Sequence, residues 1–295
     1  MSVSSSLSRT RVASWYERRS KRLRRRSPRG ADASLAIGLV IIGAMMLAAL
    51  FAGVLSPADP TRQDIPNALA PPGTDGHLLG TDALGRDILS RLLYAARTDL
   101  FVAVGAVLLP LVIGVAIGTI AGYRGGIVDR VVTGVVNVVF AFPVLVLLIA
   151  LVFILGPGIP TIIVAVTLVS WVSYARLARD LVRRERSLDY VLAARVSGLP
   201  TWRILGRHIL RNIIAQPVTF AMSDAVAIIL FITALGFLGL GVPPPAPDWG
   251  TMIADAQPYF TTHWWLAVFP GLAICAAGLG LSLIADGLSQ KWNAQ

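Results

Sequence analysis

The sequence predicts an all-α membrane protein with six transmembrane helices, and three observations carry that prediction. The 295 residues are 55% hydrophobic and only 14% charged, with a mean hydropathy of +0.71, whereas a soluble domain carries about 25% charged residues. Apolar runs long enough for a hydrocarbon core of about 30 Å recur at residues 33–55, 99–122, 131–154, 159–181, 209–237 and 265–287. The basic residues are also segregated. With the N-terminus on the cytoplasmic side, 22 of the 26 Lys and Arg fall on cytoplasmic segments, and only Arg62, Arg86, Arg91 and Arg97 fall on outer ones. The positive-inside rule favours that orientation, with both termini in the cytoplasm.

Composition also excludes several classes of function. The single cysteine, Cys275, cannot form an intrachain disulfide, and His77, His208 and His263 are scattered along the chain, so neither a metal site nor a redox cluster is expected. There is no GxxxxGK[ST] stretch to cradle nucleotide phosphates. No catalytic constellation and no cofactor of the chain's own are therefore expected, and an energised transporter built on it would need a separate ATPase. The formal charge of +10 is accounted for by topology, so the expected partner is the lipid bilayer and not nucleic acid.

In chain order, residues 1–30 form a Ser/Arg-rich cytoplasmic tail with ten Lys or Arg. It is read either as a topology signal or as a segment lying on anionic headgroups. Residues 31–97 hold the first span and an outer segment. The span is too long for the apolar core of a signal peptide, about 7–15 residues, and is read as retained. Five prolines between 57 and 72 make the outer segment irregular. Its second half, residues 79–92, reads as a Gly-Thr-Asp turn and an interfacial helix capped by Asp87, with Ile88, Leu89, Leu92 and Leu93 on one face.

Residues 98–290 form the core. Gly114, Gly118 and Gly122 at i,i+4 spacing mark a close helix contact, either within the chain or against a second subunit. Arg176, Arg179 and Asp180 lie near the inner end of the fourth span. Arg176 and Asp180 are spaced i,i+4, so they are read as a local ion pair or as snorkelling side chains, with a substrate role as the alternative. Asp224 lies mid-span, where a carboxylate needs a water-filled path or a partner. It is read either as lining a translocation path with Ser223 and Asn137 or as a helix-packing contact with one of them. Outer residues 239–264 are Pro-rich, with a short helix at about 251–259 and Trp264-Trp265 in an aromatic belt.

The chain is organised around residues 183–212, a polar island between apolar runs. Connections this long are usually functional. The island reads as two short helices, 189–196 and 201–210, with Gly198 ending the first and Pro200 starting the second. The small residues Ala193, Ala194 and Gly198 leave one side of the bend open to another protein. The simpler reading is a basic loop that only sets topology.

Leu192-Ala193-Ala194, Gly198 and His208-Ile209-Leu210-Arg211 resemble the cytoplasmic coupling loop of binding-protein-dependent ABC importer permeases. In that family the pattern is Glu-Ala-Ala, three residues, Gly, about nine residues and Ile-x-Leu-Pro. Leu192 stands where the family has Glu, and Arg211 where it has Pro. Asp189-Tyr190-Val191, the stretch LGTDALGRD at 79–87, and Leu235-Gly236-Phe237-Leu238-Gly239-Leu240-Gly241 followed by Trp249-Gly250 are similar to the dipeptide/oligopeptide/nickel branch. Ile232 stands where that branch usually has Glu.

The resemblance implies a type I importer fold, with a five-helix permease core preceded by one extra span. It implies that Asp189, Tyr190, Ala193, Ala194, Arg195, Gly198, Trp202 and Arg207 belong to the loop that docks on a cytoplasmic ATPase. The partners it implies are a second homologous permease subunit, two ATPase subunits that bind ATP and Mg, and an extracytoplasmic substrate-binding protein. Di- or oligopeptides are the implied cargo, with nickel, glutathione or another small solute as the alternative. A secondary transporter working without an ATPase, or a membrane scaffold, are the readings from other classes.

Overall fold

A computed structural model describes residues 28–292, with side chains from 32 onward. The Arg-rich tail, and the two readings of it, lie outside the described residues. Among the described residues every named element is a helix, and the longer connections at 56–87 and 238–248 are largely irregular. Helix α1 spans Pro28–Leu50, α2 Ile88–Arg124, α3 Gly126–Phe140, α4 Val144–Leu155 and α5 Ile159–Glu185. After the loop helix α6, Asp189–Val196, come α7 Ala215–Phe237, the short α8 Trp249–Ala256 and α9 Trp265–Trp292. Among the described residues α1, α2, α5, α7 and α9 are each long and apolar enough to cross a bilayer, and α3 with α4 forms a bent pair that brings the number to six if the two together make one span.

Three boundaries differ from the sequence expectation. The interfacial helix at Asp87 is not separate. Asp87 does cap it, accepting from the Ser90 amide at 2.8 Å and the Ser90 hydroxyl at 2.6 Å. The helix then continues unbroken to Arg124, because nothing in Tyr94-Ala95-Ala96-Arg97-Thr98 interrupts it and Ala95 and Ala96 are buried. The run 131–154 is not one straight span: α3 and α4 meet at 90°. Pro143 has no N–H to donate and disfavours a helical conformation in the residue before it, and its own backbone is extended at ψ 126°. Finally, the second loop helix is not free-standing. A turn at Thr201–Arg203 passes into a π-helical stretch, Ile204–Ile209, then Leu210–Ile213, and so into α7.

Lipid tails are as apolar as the side chains, so burial does not drive these helices together, and close packing must. The glycine stripe on α2 supplies it within the chain. A Cβ on Gly114, Gly118 or Gly122 would run into the backbone oxygens of Trp171, Ala175 and Arg179 on α5. A second seam joins α1 to α9 at Gly38, Gly280 and Gly287, with Lys291 2.9 Å from Asp32 at its end.

At the end of the bundle remote from the 183–212 loop, the outer segment is folded tightly. Gly85 has φ +72°, and an added Cβ there would strike the Asp64 backbone. Asp82 accepts from the Leu84 and Arg86 amides, both at 2.9 Å, and from Arg86 Nε at 2.6 Å. Asp248 caps α8 through the Thr251 amide at 2.9 Å. The fully buried Trp249 donates its amide to Asp99 Oδ2 at 2.9 Å, which ties α8 to α2.

Candidate functional site

The loop at 183–212 has its own small core. Leu181 and Val182 at the end of α5, Val191 and Ala194 on α6, and Ile204, Ile209 and Ile213 beyond the bend pack together, with Leu199, Leu205 and Leu210 against them. The turn between the two halves is a Schellman motif. Leu199 N–H donates to Ala194 C=O at 3.2 Å and Gly198 N–H to Arg195 C=O at 3.0 Å. This leaves Gly198 at φ +74°, a conformation in which its missing Cβ avoids strain.

That core divides the predicted site residues. Ala194 is buried inside it, so it is not part of an open face as the sequence reading held. Ala193, Arg195, Gly198, Trp202, Arg207 and Asp189 are exposed. The outward surface is more apolar than its charge suggests. Val196 is 89% exposed, Trp202 70% and Leu192 42%, and none of the described residues beyond its chain neighbours lies within 4 Å of a Cβ placed on Gly198.

The loop is anchored on both sides. Arg186 donates from one Nη1 to the carbonyls of Gly122 and Tyr123 at 3.0 and 3.1 Å, capping the end of α2. Arg195 stacks over the Tyr123 ring, 5.3 Å from its centroid. Tyr190 donates to Glu185 and accepts from Asn212 Nδ2 at 2.9 Å. Partial burial, reinforced by the Glu185 contact, raises the Tyr190 pKa above that of an ordinary phenol, so it remains a neutral donor. Arg179 chelates Asp129 on α3 and reaches Asp180 at 3.1 Å, while Arg176 lies over the Phe140 ring at 5.7 Å. The expected Arg176–Asp180 pair is thus replaced by one through Arg179, because Asp129 comes in from the neighbouring helix.

The proposed path residues do not converge. Asp224 accepts a hydrogen bond from the Tyr174 hydroxyl at 2.8 Å, so its partner is neither Ser223 nor Asn137. The Tyr174 ring in turn packs edge-on against Phe220, with centroids 5.2 Å apart. Ser223 lines a cavity of about 430 Å3 with Leu177, Gln216, Thr219 and Trp292. Asn137 lines a separate one of about 130 Å3 with Thr133, Arg176 and Arg179. Tyr174, Asp129 and Arg186 were missed because their contacts join residues 50 to 64 positions apart, and such separations leave no local pattern.

Comparison with known proteins decides the family. Residues 114–293 match the family described as the binding-protein-dependent transport system inner membrane component. The chain belongs to that family. Residues 35–72 further match the N-terminal transmembrane domain of oligopeptide transport permease C. A di/tripeptide transport system permease of Pseudomonas aeruginosa is 39% identical, over 85% of this chain and 84% of its own length. An oligopeptide permease of Bacillus subtilis is also 39% identical, over 85% and 82%. A nickel permease of Escherichia coli is 37% identical, over 86% and 92%. The chain is accordingly a multi-pass inner-membrane permease of the peptide/nickel branch, a transport component, and its exposed 183–212 loop lies in the matched segment.

Proposed function

We propose that this permease forms half of the translocation path for di- or oligopeptides in an ATP-driven importer. Its 189–207 loop docks on a cytoplasmic ATPase that binds ATP and Mg. The observation that carries the reading is the loop's construction: an apolar outward face at Leu192, Val196 and Trp202 on a body braced to α2 and α5. A loop that only set topology would need neither the core nor the Arg186 cap. ATP acts as a ligand with different affinity for two arrangements of the ATPase pair, and the docked loop couples that difference to the spans. Because the loop is braced, a push on it moves α2 and α5 together, opening the path in turn to each side.

The remaining components are a second homologous permease, a second ATPase and an extracytoplasmic binding protein. The charge count, with 22 of the 26 basic residues on segments read as cytoplasmic, supports a cytoplasmic position for both termini. Purification of the full chain from native membranes, with partners identified by mass spectrometry, tests this. A second permease and one or two ATPases are the expected result, and a homo-oligomer without an ATPase would sink the reading. The nickel relative supports a metal cargo as the second reading. Uptake of labelled dipeptide and of nickel-63 by cells with and without the gene separates the two.

Asp224 belongs to the path in this reading. Asp224→Asn removes the charge but keeps an acceptor for the Tyr174 hydroxyl, so the fold should lose no more than about 1 kcal/mol. Uptake should fall by about tenfold or more, on the order of 1.4 kcal/mol at the barrier. Unchanged uptake would return Asp224 to helix packing alone.

A further inference from the structure

At the end of the bundle remote from the coupling loop, a cavity of about 350 Å3 opens between the folded outer segment and α8. Its walls are largely apolar, from Ile88, Met252, Tyr259 and Leu266, and two kinds of charge meet in it. Arg91 contributes a side chain of which only 4% is exposed. Among the described residues its guanidinium has no close acceptor. Its Nε is 3.5 Å from Asp82 Oδ2 and its Nη2 3.7 Å from Asp255 Oδ2, against about 2.7–2.9 Å for a charge-assisted hydrogen bond. Its Nη1 is buried without a partner among the described residues. Asp82 cannot serve it better, because that carboxylate already holds Arg86 Nε at 2.6 Å and two backbone amides. Asp255 sits at the rim, 55% exposed, where Arg86 Nη2 reaches its Oδ2 at 3.4 Å and leaves Oδ1 open to a ligand.

A buried cation is costly unless it is paired and hydrogen-bonded. The geometry leaves one feature unsatisfied, a forked donor facing a cavity at the small end of the size range of ligand sites, about 300–1,000 Å3. We propose that this cavity binds a small zwitterion with one apolar side chain, an amino acid or a very short peptide. The carboxylate pairs with Arg91, the ammonium meets Asp255, and the side chain lies on Met252, Tyr259 and Leu266. The site is separate from Asp224 and from the coupling loop. The inference needs only this chain, so it stands or falls apart from the importer reading.

The test is ligand-observed NMR on the full chain in lipid nanodiscs with three probes. L-leucine carries both charges, leucinamide lacks the carboxylate and N-acetyl-leucine lacks the ammonium. L-leucine should bind, N-acetyl-leucine should bind more weakly, and leucinamide should not bind. Arg91→Gln should weaken leucine by about tenfold or more. Because Arg91 is buried and its variant could misfold, the rim supplies the second variant. Asp255→Asn should weaken leucine by about two- to fivefold, the range for an exposed ion pair, and leave N-acetyl-leucine unchanged. Equal binding of leucine and leucinamide overturns the proposal, as does an absence of binding by all three probes. An Asp255→Asn effect of the same size on leucine and N-acetyl-leucine does so too.

Discussion

Gly118→Leu is expected to abolish the folded protein, not just weaken it. The glycine sits at the centre of the α2–α5 seam, and any Cβ there is driven into the Ala175 carbonyl oxygen, with Ala175 Cα only 2.9 Å away. A clash with a flexible side chain can be relieved by a rotamer change. This one is with backbone, so the two helices must separate along their length. Overpacking a core costs about 1–3 kcal/mol and at times more, and in lipid there is no general hydrophobic force to hold the pair while it adjusts. Separation also pulls Arg186 away from the Gly122 and Tyr123 carbonyls and so unbraces the loop. The measurement is the monodisperse fraction after detergent extraction, which should fall to roughly a tenth or less. Gly43→Leu on α1, where no described residue of another element lies within 4 Å of an added Cβ, is the control and should be near neutral. A stable, active Gly118→Leu protein would mean that α2 and α5 do not pack through this stripe.

How much of this was legible in the sequence depends on what kind of physics set each feature. The spans were legible because lipid leaves no partner for an open backbone, so each crossing must be a long apolar run. The bend between α3 and α4 was not. Pro143 is visible, but Pro110 and Pro270 lie inside α2 and α9 without breaking either. Proline is tolerated in spans wherever neighbours satisfy the freed carbonyl, and nothing local tells one case from the other. In the loop, Gly198 and Pro200 marked the bend correctly, since both act through their own backbone angles. The π-helical winding at Ile204–Ile209 has no such local marker. The partner of Asp224 was assigned to the wrong residues because Tyr174 reaches it from another helix. The grouping of Ala193 with Ala194 as one open patch was the clearest error. Val191 and Ala194 are three residues apart and share the inward face of α6, while Ala193 is turned outward.

That error yields the sharper experiment on the loop, because adjacent alanines should give opposite phenotypes when replaced by tryptophan. Ala194 is 7% exposed among Val191, Ile204 and Ile209. Ala194→Trp must push that core apart, at a cost of about 1–3 kcal/mol. It should lower the melting temperature and expose residues 183–212 to protease, whether or not an ATPase is present. Ala193→Trp adds bulk to the outward face beside Leu192 and Val196 and disturbs nothing inside. Its melting temperature should match that of the parent protein, while co-purification of the ATPase and transport fall by about tenfold or more, on the order of 1.4 kcal/mol of docking free energy. The pair therefore separates two explanations that Gly198→Arg would confound, since arginine at φ +74° strains the Schellman turn as well as blocking the surface. If Ala193→Trp keeps full ATPase binding and transport, the docking surface lies elsewhere. The loop's core would then serve the permease alone, bracing α2 against α5.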